Sequence, residues 1–172
     1  PAWWGAGVPT DDEQRAERGF RGPAKMRKDQ RHRSREAALQ MLYQWEVGHV
    51  DPDEVAATYW TAHGPEPPLT ARGRAFAETL VRGTAAGVER IDPLIAAAAD
   101  NWRLERMALV DRLVLRLAVY ELLHEPETPP AVVINEALEL ARTFSTDESV
   151  GFINGVLDGV RKTLETPASS DS

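Results

Sequence analysis

The sequence has no cysteine, which excludes disulfides, thiolate metal sites and a cysteine nucleophile. It also lacks an apolar run of the ~20 residues that a bilayer crossing requires, and no segment reads as a signal peptide. Both absences suit a protein of the reducing cytoplasm with no membrane partner. Histidine is scarce: His32, His49, His63 and His124 stand far apart, none at ligand spacing from another. No glycine-rich strand-to-helix turn is present, so neither a nucleotide nor an S-adenosylmethionine cradle is visible. Acidic pairs such as Glu136/Glu139 fit a solvated helix face. Nothing here assembles into catalytic chemistry. The expectation is no enzyme, no cofactor and no metal.

Basic groups are outnumbered by acidic ones, 20 to 27, for a net charge of −7. At first sight that argues against a nucleic-acid partner, but the average hides a split. Residues 1–26 are neutral. Residues 27–35 hold Arg27, Lys28, Arg31, Arg33 and Arg35 against Asp29, which is +4, with His32 beside them. The remainder, 36–172, holds 11 basic and 22 acidic groups, which is −11. A short basic arm joined to an acidic body suits a polyanion at one place and a basic protein at another.

With 172 residues, 42% of them hydrophobic, the chain can build one domain with a real core. Its centre is Met107–Leu123, apolar almost all round except for Asp111, Arg112, Arg116 and Glu121. Such a helix belongs in the middle of a bundle, wrapped by others. Residues 1–26 are rich in Gly, Pro and charge and read as a flexible extension, with Trp3 and Trp4 in an unstructured leader and Met26 a candidate natural start that would make the extension non-native. Helix follows over Arg31–Val47, stopped by Gly48, and again to Ala62 from the Asp51-Pro52 cap. After the Pro-rich loop His63–Leu69, Thr70 caps a long helix from Ala71 to Arg90, and Asp92-Pro93 caps an Ala-rich one to Ala99. Two helices come last. One spans Ala131–Phe144; the other runs to Leu164 from a capping box with Ser145 as N-cap and Glu148 reaching back. Gly151, Gly155 and Gly159 line one face of that last helix, which points to close approach of another backbone, with an internal crossing favoured over a dimer contact. Residues 165–172 read as a disordered tail. The class is all-α, a compact bundle of about seven helices.

The basic arm is the best candidate site. Arg31, Arg33 and Arg35 fall at the start of the first helix, where positive charge opposes the macrodipole. Phosphate neutralisation would account for that placement; a frayed, solubilising terminus is the plain alternative. Tyr43, two turns beyond Arg35, is either a ring for base stacking or partly buried core.

Four blocks in order, RHRSREAALQMLYQWE, LVDRLVLRLAVYELL, ETPPAVVINEALELARTF and FINGVLDGV, closely resemble the NusB family of bacterial transcription antitermination factors. The match runs from about Arg27 to Lys162. The resemblance implies an all-helical domain over 27–164, in two helical halves, without catalysis. It implies binding of boxA RNA from ribosomal-RNA leaders together with the basic ribosomal protein NusE, within an RNA polymerase elongation complex carrying other Nus factors. It also brings two assembly states, a monomer and a homodimer that hides the RNA surface. Carried over residue by residue, Lys28, Arg31, His32, Arg33 and Arg35 would meet RNA phosphates. Tyr43, and Phe144 through Glu148 with Phe152, fall in blocks tied to the RNA surface, and Asp111 and Arg112 in the block tied to NusE. His32 stands where arginine is common and Glu148 where aspartate is common. Asn135, Glu136 and Asn154 also belong to the blocks, with interhelical hydrogen bonding as a structural role. Two other readings remain. One is the helical accessory module of an rRNA cytosine methyltransferase, which would need a catalytic domain with a cysteine. The other is a protein-interaction bundle without RNA binding.

Overall fold

The computed structural model describes residues 28–100 and 102–166. Expectations about residues 1–27 (the extension, Trp3, Trp4, Met26 and Arg27) and about 167–172 lie outside the described residues. Seven α-helices account for most of the rest: α1 Lys28–Gly48, α2 Pro52–Ala62, α3 Ala71–Ala86, α4 Val88–Ala98, α5 Leu109–His124, α6 Pro130–Phe144 and α7 Asp147–Glu165. A 3-10 turn, Leu104–Arg106, precedes α5. Among the described residues there is no strand. No helix of the described residues is long and apolar enough to cross a membrane.

The expected centre is the observed one. Helix α5 packs against α1, α3, α4, α6 and α7, and Leu113 through Val119 are all buried. Most of the remaining contacts fall into two groups, α1–α2–α3 and α4–α6–α7, joined by α5 and by a smaller α3–α4 contact. Helix α1 lays Ala38, Met41 and Leu42 into the core, α3 adds Ala77, Leu80 and Val81, and α7 adds Ile153, Val156, Leu157 and Val160. Spacings of three and four keep each set on one face.

Local chemistry sets the helix starts. Asp51 accepts from the Asp53 amide at 2.9 Å ahead of Pro52, and Thr70 Oγ1 accepts from the Gly73 amide at 3.0 Å. Gly73 also lets α3 reach α1: a Cβ there would lie 2.9 Å from Gln30 Oε1. Ser34 donates across the same crossing to the Gly73 carbonyl at 2.9 Å.

Several sequence expectations are revised. The long helix breaks at Gly87, whose amide bonds back to the Gly83 and Thr84 carbonyls; α4 restarts at Val88 with Pro93 inside it. Asp92 is therefore no cap, and it accepts two hydrogen bonds from Arg116 instead, each 2.8 Å. The left-handed residue after α1 is His49 (φ 52°), one beyond Gly48. The cap of α7 is Thr146, whose Oγ1 accepts from the Ser149 amide at 3.2 Å. Ser145 lies one residue too early, since α7 starts at Asp147, and its hydroxyl donates to Asp111. Of the three in-register glycines only Gly159 meets another helix, at Ala98 of α4; a Cβ on Gly151 or Gly155 would have nothing within 4 Å. The closest approach is at Gly83, where a Cβ would lie 2.2 Å from the Tyr120 ring of α5.

Candidate nucleic-acid interface

The sequence-predicted arm forms the first two turns of α1, and its cations divide into two kinds. The Arg35 guanidinium points inward. Only 2% of Arg35 is exposed, and Nε donates to both Glu121 oxygens at 2.9 and 3.1 Å. Glu136 of α6 lies 3.8 Å from its Nη1. Burial outweighs the attraction of Arg35 and holds the Glu121 carboxyl above the usual carboxylate range. The expected phosphate contact at Arg35 is thus corrected: this arginine joins α1 to α5 inside the bundle. Glu136 is corrected with it, being buried against α1 rather than on a solvated face.

His32 is also occupied. Its Nδ1 lies 2.8 Å from Glu136 and its Nε2 3.0 Å from Glu36, so neither ring nitrogen is free to meet a phosphate, contrary to expectation. Burial alone would lower the His32 pKa, but the hydrogen bond and charge of Glu136, with those of Glu36, outweigh it and raise the value above 6.5.

The other cations face neutral acceptors or solvent. Arg31 donates to the Thr128 hydroxyl at 3.2 Å and lies over the Phe76 ring, with the cation 5.7 Å from its centroid. Arg33 donates to the Pro67 carbonyl oxygen. Lys28 is exposed. No carboxylate of the described residues forms an ion pair with Lys28, Arg31 or Arg33, whereas His32 and Arg35 are both paired. Three cations without an ion-pair partner among the described residues, one of them, Arg31, within the field of the Glu121 carboxylate, therefore sit at the positive end of the α1 dipole, where an anion is favoured and a cation is not.

A second group of predicted residues lies at the other end of α1. Tyr43 is 47% exposed and Val47 54%, so Tyr43 is a surface ring rather than core. Lys28 and Tyr43 stand ~22 Å apart along the helix axis, at 1.5 Å per residue. They fall within about 60° of each other around it, at 100° per residue. One turn beyond Tyr43, Glu46 pairs with Arg112 at 3.3 Å and with Arg116 at 3.5 Å. Beside Arg112, Asp111 is buried and accepts from the Ser145 and Ser149 hydroxyls, each at 2.6 Å. That pair ties the start of α5 to the α6–α7 turn, which presents Phe144, Glu148 and Phe152, all exposed. The structure so carries Tyr43 and this aromatic group on elements linked through Glu46, Arg112 and Asp111.

Asp111 and Arg112, expected at the partner surface, make their contacts within the bundle. Asp111 is buried with both oxygens engaged, and Arg112 is spent on Glu46 and on the Leu104 carbonyl oxygen at 3.3 Å. Both hold helices together. Sequence reasoning also missed Asp92–Arg116 and Arg35–Glu121. The available signal was the register of Arg35, three before Ala38 and seven before Leu42, on the apolar face of α1. Among the described residues no group of His, Asp and Glu could hold a metal ion.

A family model described as the NusB family matches residues 32–162. The transcription antitermination protein NusB of Sorangium cellulosum is 47% identical over 134 residues, covering 78% of this chain and 93% of that protein. The NusB of Koribacter versatilis is 46% identical over 142 residues, covering 83% and 95% respectively. Among solved structures, T. maritima NusB superposes with a TM-score of 0.68 at 34% identity, over 77% of this chain and 90% of that one.

Proposed function

Because the chain belongs to the NusB family, we propose that it is a non-catalytic transcription antitermination factor that binds boxA RNA of ribosomal-RNA leader transcripts together with NusE. The observation that carries the RNA reading is the cluster of Lys28, Arg31 and Arg33 at the start of α1. These cations lack carboxylate partners on a body whose remaining charge is −11. A polyanion would supply the missing counter-charge, with release of its condensed counterions as the driving force. Tyr43, Phe144 and Phe152 offer exposed rings on which unpaired bases stack, and the ~22 Å between Lys28 and Tyr43 calls for an extended ligand. Glu148 borders the aromatic group and limits where a phosphate can pass. The acidic body suits a basic ribosomal protein by charge complementarity, and the assembly would act in the cytoplasm with the elongating polymerase and the other Nus factors. A homodimer would compete with RNA if it covered the same face.

The test is fluorescence anisotropy of a labelled boxA RNA titrated with the full chain, with and without NusE, against a scrambled RNA. Sequence-selective binding that tightens with NusE is expected. Equal binding of both RNAs, or none, refutes the reading.

A further inference from the structure

Three anchors fasten the start of α1 to α5, α6 and the loop between them. Arg31 reaches Thr128, His32 reaches Glu136, and Arg35 reaches Glu121. Of these cations only His32 can lose its charge near neutral pH. Its geometry leaves no choice of tautomer. Both ring nitrogens lie within 3.0 Å of carboxylate oxygens on different helices. Ionised carboxylates only accept, so the ring satisfies both of them only as an imidazolium. A neutral ring could satisfy one carboxylate and would turn a lone pair on the other.

The surrounding charges are few. On α1 they are Glu36 and Arg35, on α6 Glu136, and one link further Glu121 of α5. Helix α3 contributes the uncharged Phe76 ring beneath Arg31 and Arg35, and the α5–α6 loop contributes the Thr128 hydroxyl. When His32 is protonated, it and Arg35 together face Glu36, Glu121 and Glu136. Loss of the proton leaves buried Glu136 to Arg35, 3.8 Å away and already engaged by Glu121.

We propose that His32 is a positioning residue for the RNA interface: as an imidazolium it clamps the start of α1 to α6, and its deprotonation loosens the turns that carry Lys28, Arg31 and Arg33. The inference rests on the reading of those turns as the RNA surface. RNA affinity then falls as pH rises through the His32 titration, and by reciprocity bound RNA tightens the hold of His32 on its proton. An arginine at this position would keep its charge throughout and remove the sensitivity.

Two readouts on the full chain test this. Proton NMR of the histidine rings follows His32 titration without RNA, and anisotropy of labelled boxA RNA gives affinity across the same pH range for wild type, H32R and H32Q. Wild-type affinity is expected to fall about 5-fold or more through the titration, with flat profiles for both variants and His32 titrating above 6.5. H32R keeps the test valid if H32Q folds poorly. Superimposable pH profiles for wild type and H32R, or His32 titrating below 6.5, overturn the clamp. Absence of selective binding by all three proteins at every pH is a different result and overturns the functional reading itself.

Discussion

Replacing Arg35 by Met separates a structural arginine from an RNA ligand. The guanidinium is buried and bonds both oxygens of Glu121, so its removal strands a buried carboxylate. Breaking such a pair from one side costs about 3–5 kcal/mol, a large share of the roughly 5–15 kcal/mol that holds a domain together. In urea this moves the unfolding midpoint down by on the order of 2 M. Burial already raises the Glu121 pKa, so the stranded carboxyl takes up a proton readily and the deficit of R35M shrinks as pH falls. Removing both charges, as in R35M/E121L, recovers most of the loss because neither group is then left uncompensated. The assay is urea unfolding of wild type, both singles and the double, paired with the salt dependence of RNA binding under conditions where each is folded. A stable R35M whose salt slope drops by about 0.7, one phosphate contact, would refute the buried-pair account.

Other consequences follow from particular contacts. G151A and G155A each stabilise α7 by about 0.5–1 kcal/mol in thermal unfolding, because an added Cβ meets nothing within 4 Å there. G83A lowers the melting temperature, since its Cβ would fall 2.2 Å from the Tyr120 ring. D111A strips two hydroxyls of a shared charged acceptor and costs about 3 kcal/mol by urea unfolding, detaching the α6–α7 turn from α5. The raised His32 pKa makes its contribution to stability complete below 6.5 and lost as pH rises through the folded-state value; H32R removes that slope from a pH series of unfolding curves.

Much of this architecture was legible from apolar spacing. Helix α5 had to be central because a helix apolar on all sides buries itself only among others. Its charges were equally informative: Glu121 and Arg116 in such a helix require buried partners, and Arg35 on the apolar face of α1 was one in register. Glu136 stood in the same way between Val133 and Leu140 on the buried stripe of α6. What periodicity could not carry were partners far apart in sequence. Ser145 is a good N-cap by local rules, but its hydroxyl donates to Asp111, 34 residues away, and the cap falls to Thr146. Asp92 lost its local role to Arg116 in the same manner. In the arm, charge alone could not tell Arg35 and His32, neutralised across the bundle, from Lys28, Arg31 and Arg33, which are not.

That division is the central claim, and the salt dependence of RNA affinity tests it most directly. For the wild-type chain, three phosphate contacts to single-stranded boxA RNA give a slope of log K against log salt near −2, at about −0.7 per contact. K28A/R31A/R33A should flatten it toward zero under conditions where the variant is folded. An unchanged slope in that variant would place the RNA elsewhere on the molecule and contradict the account.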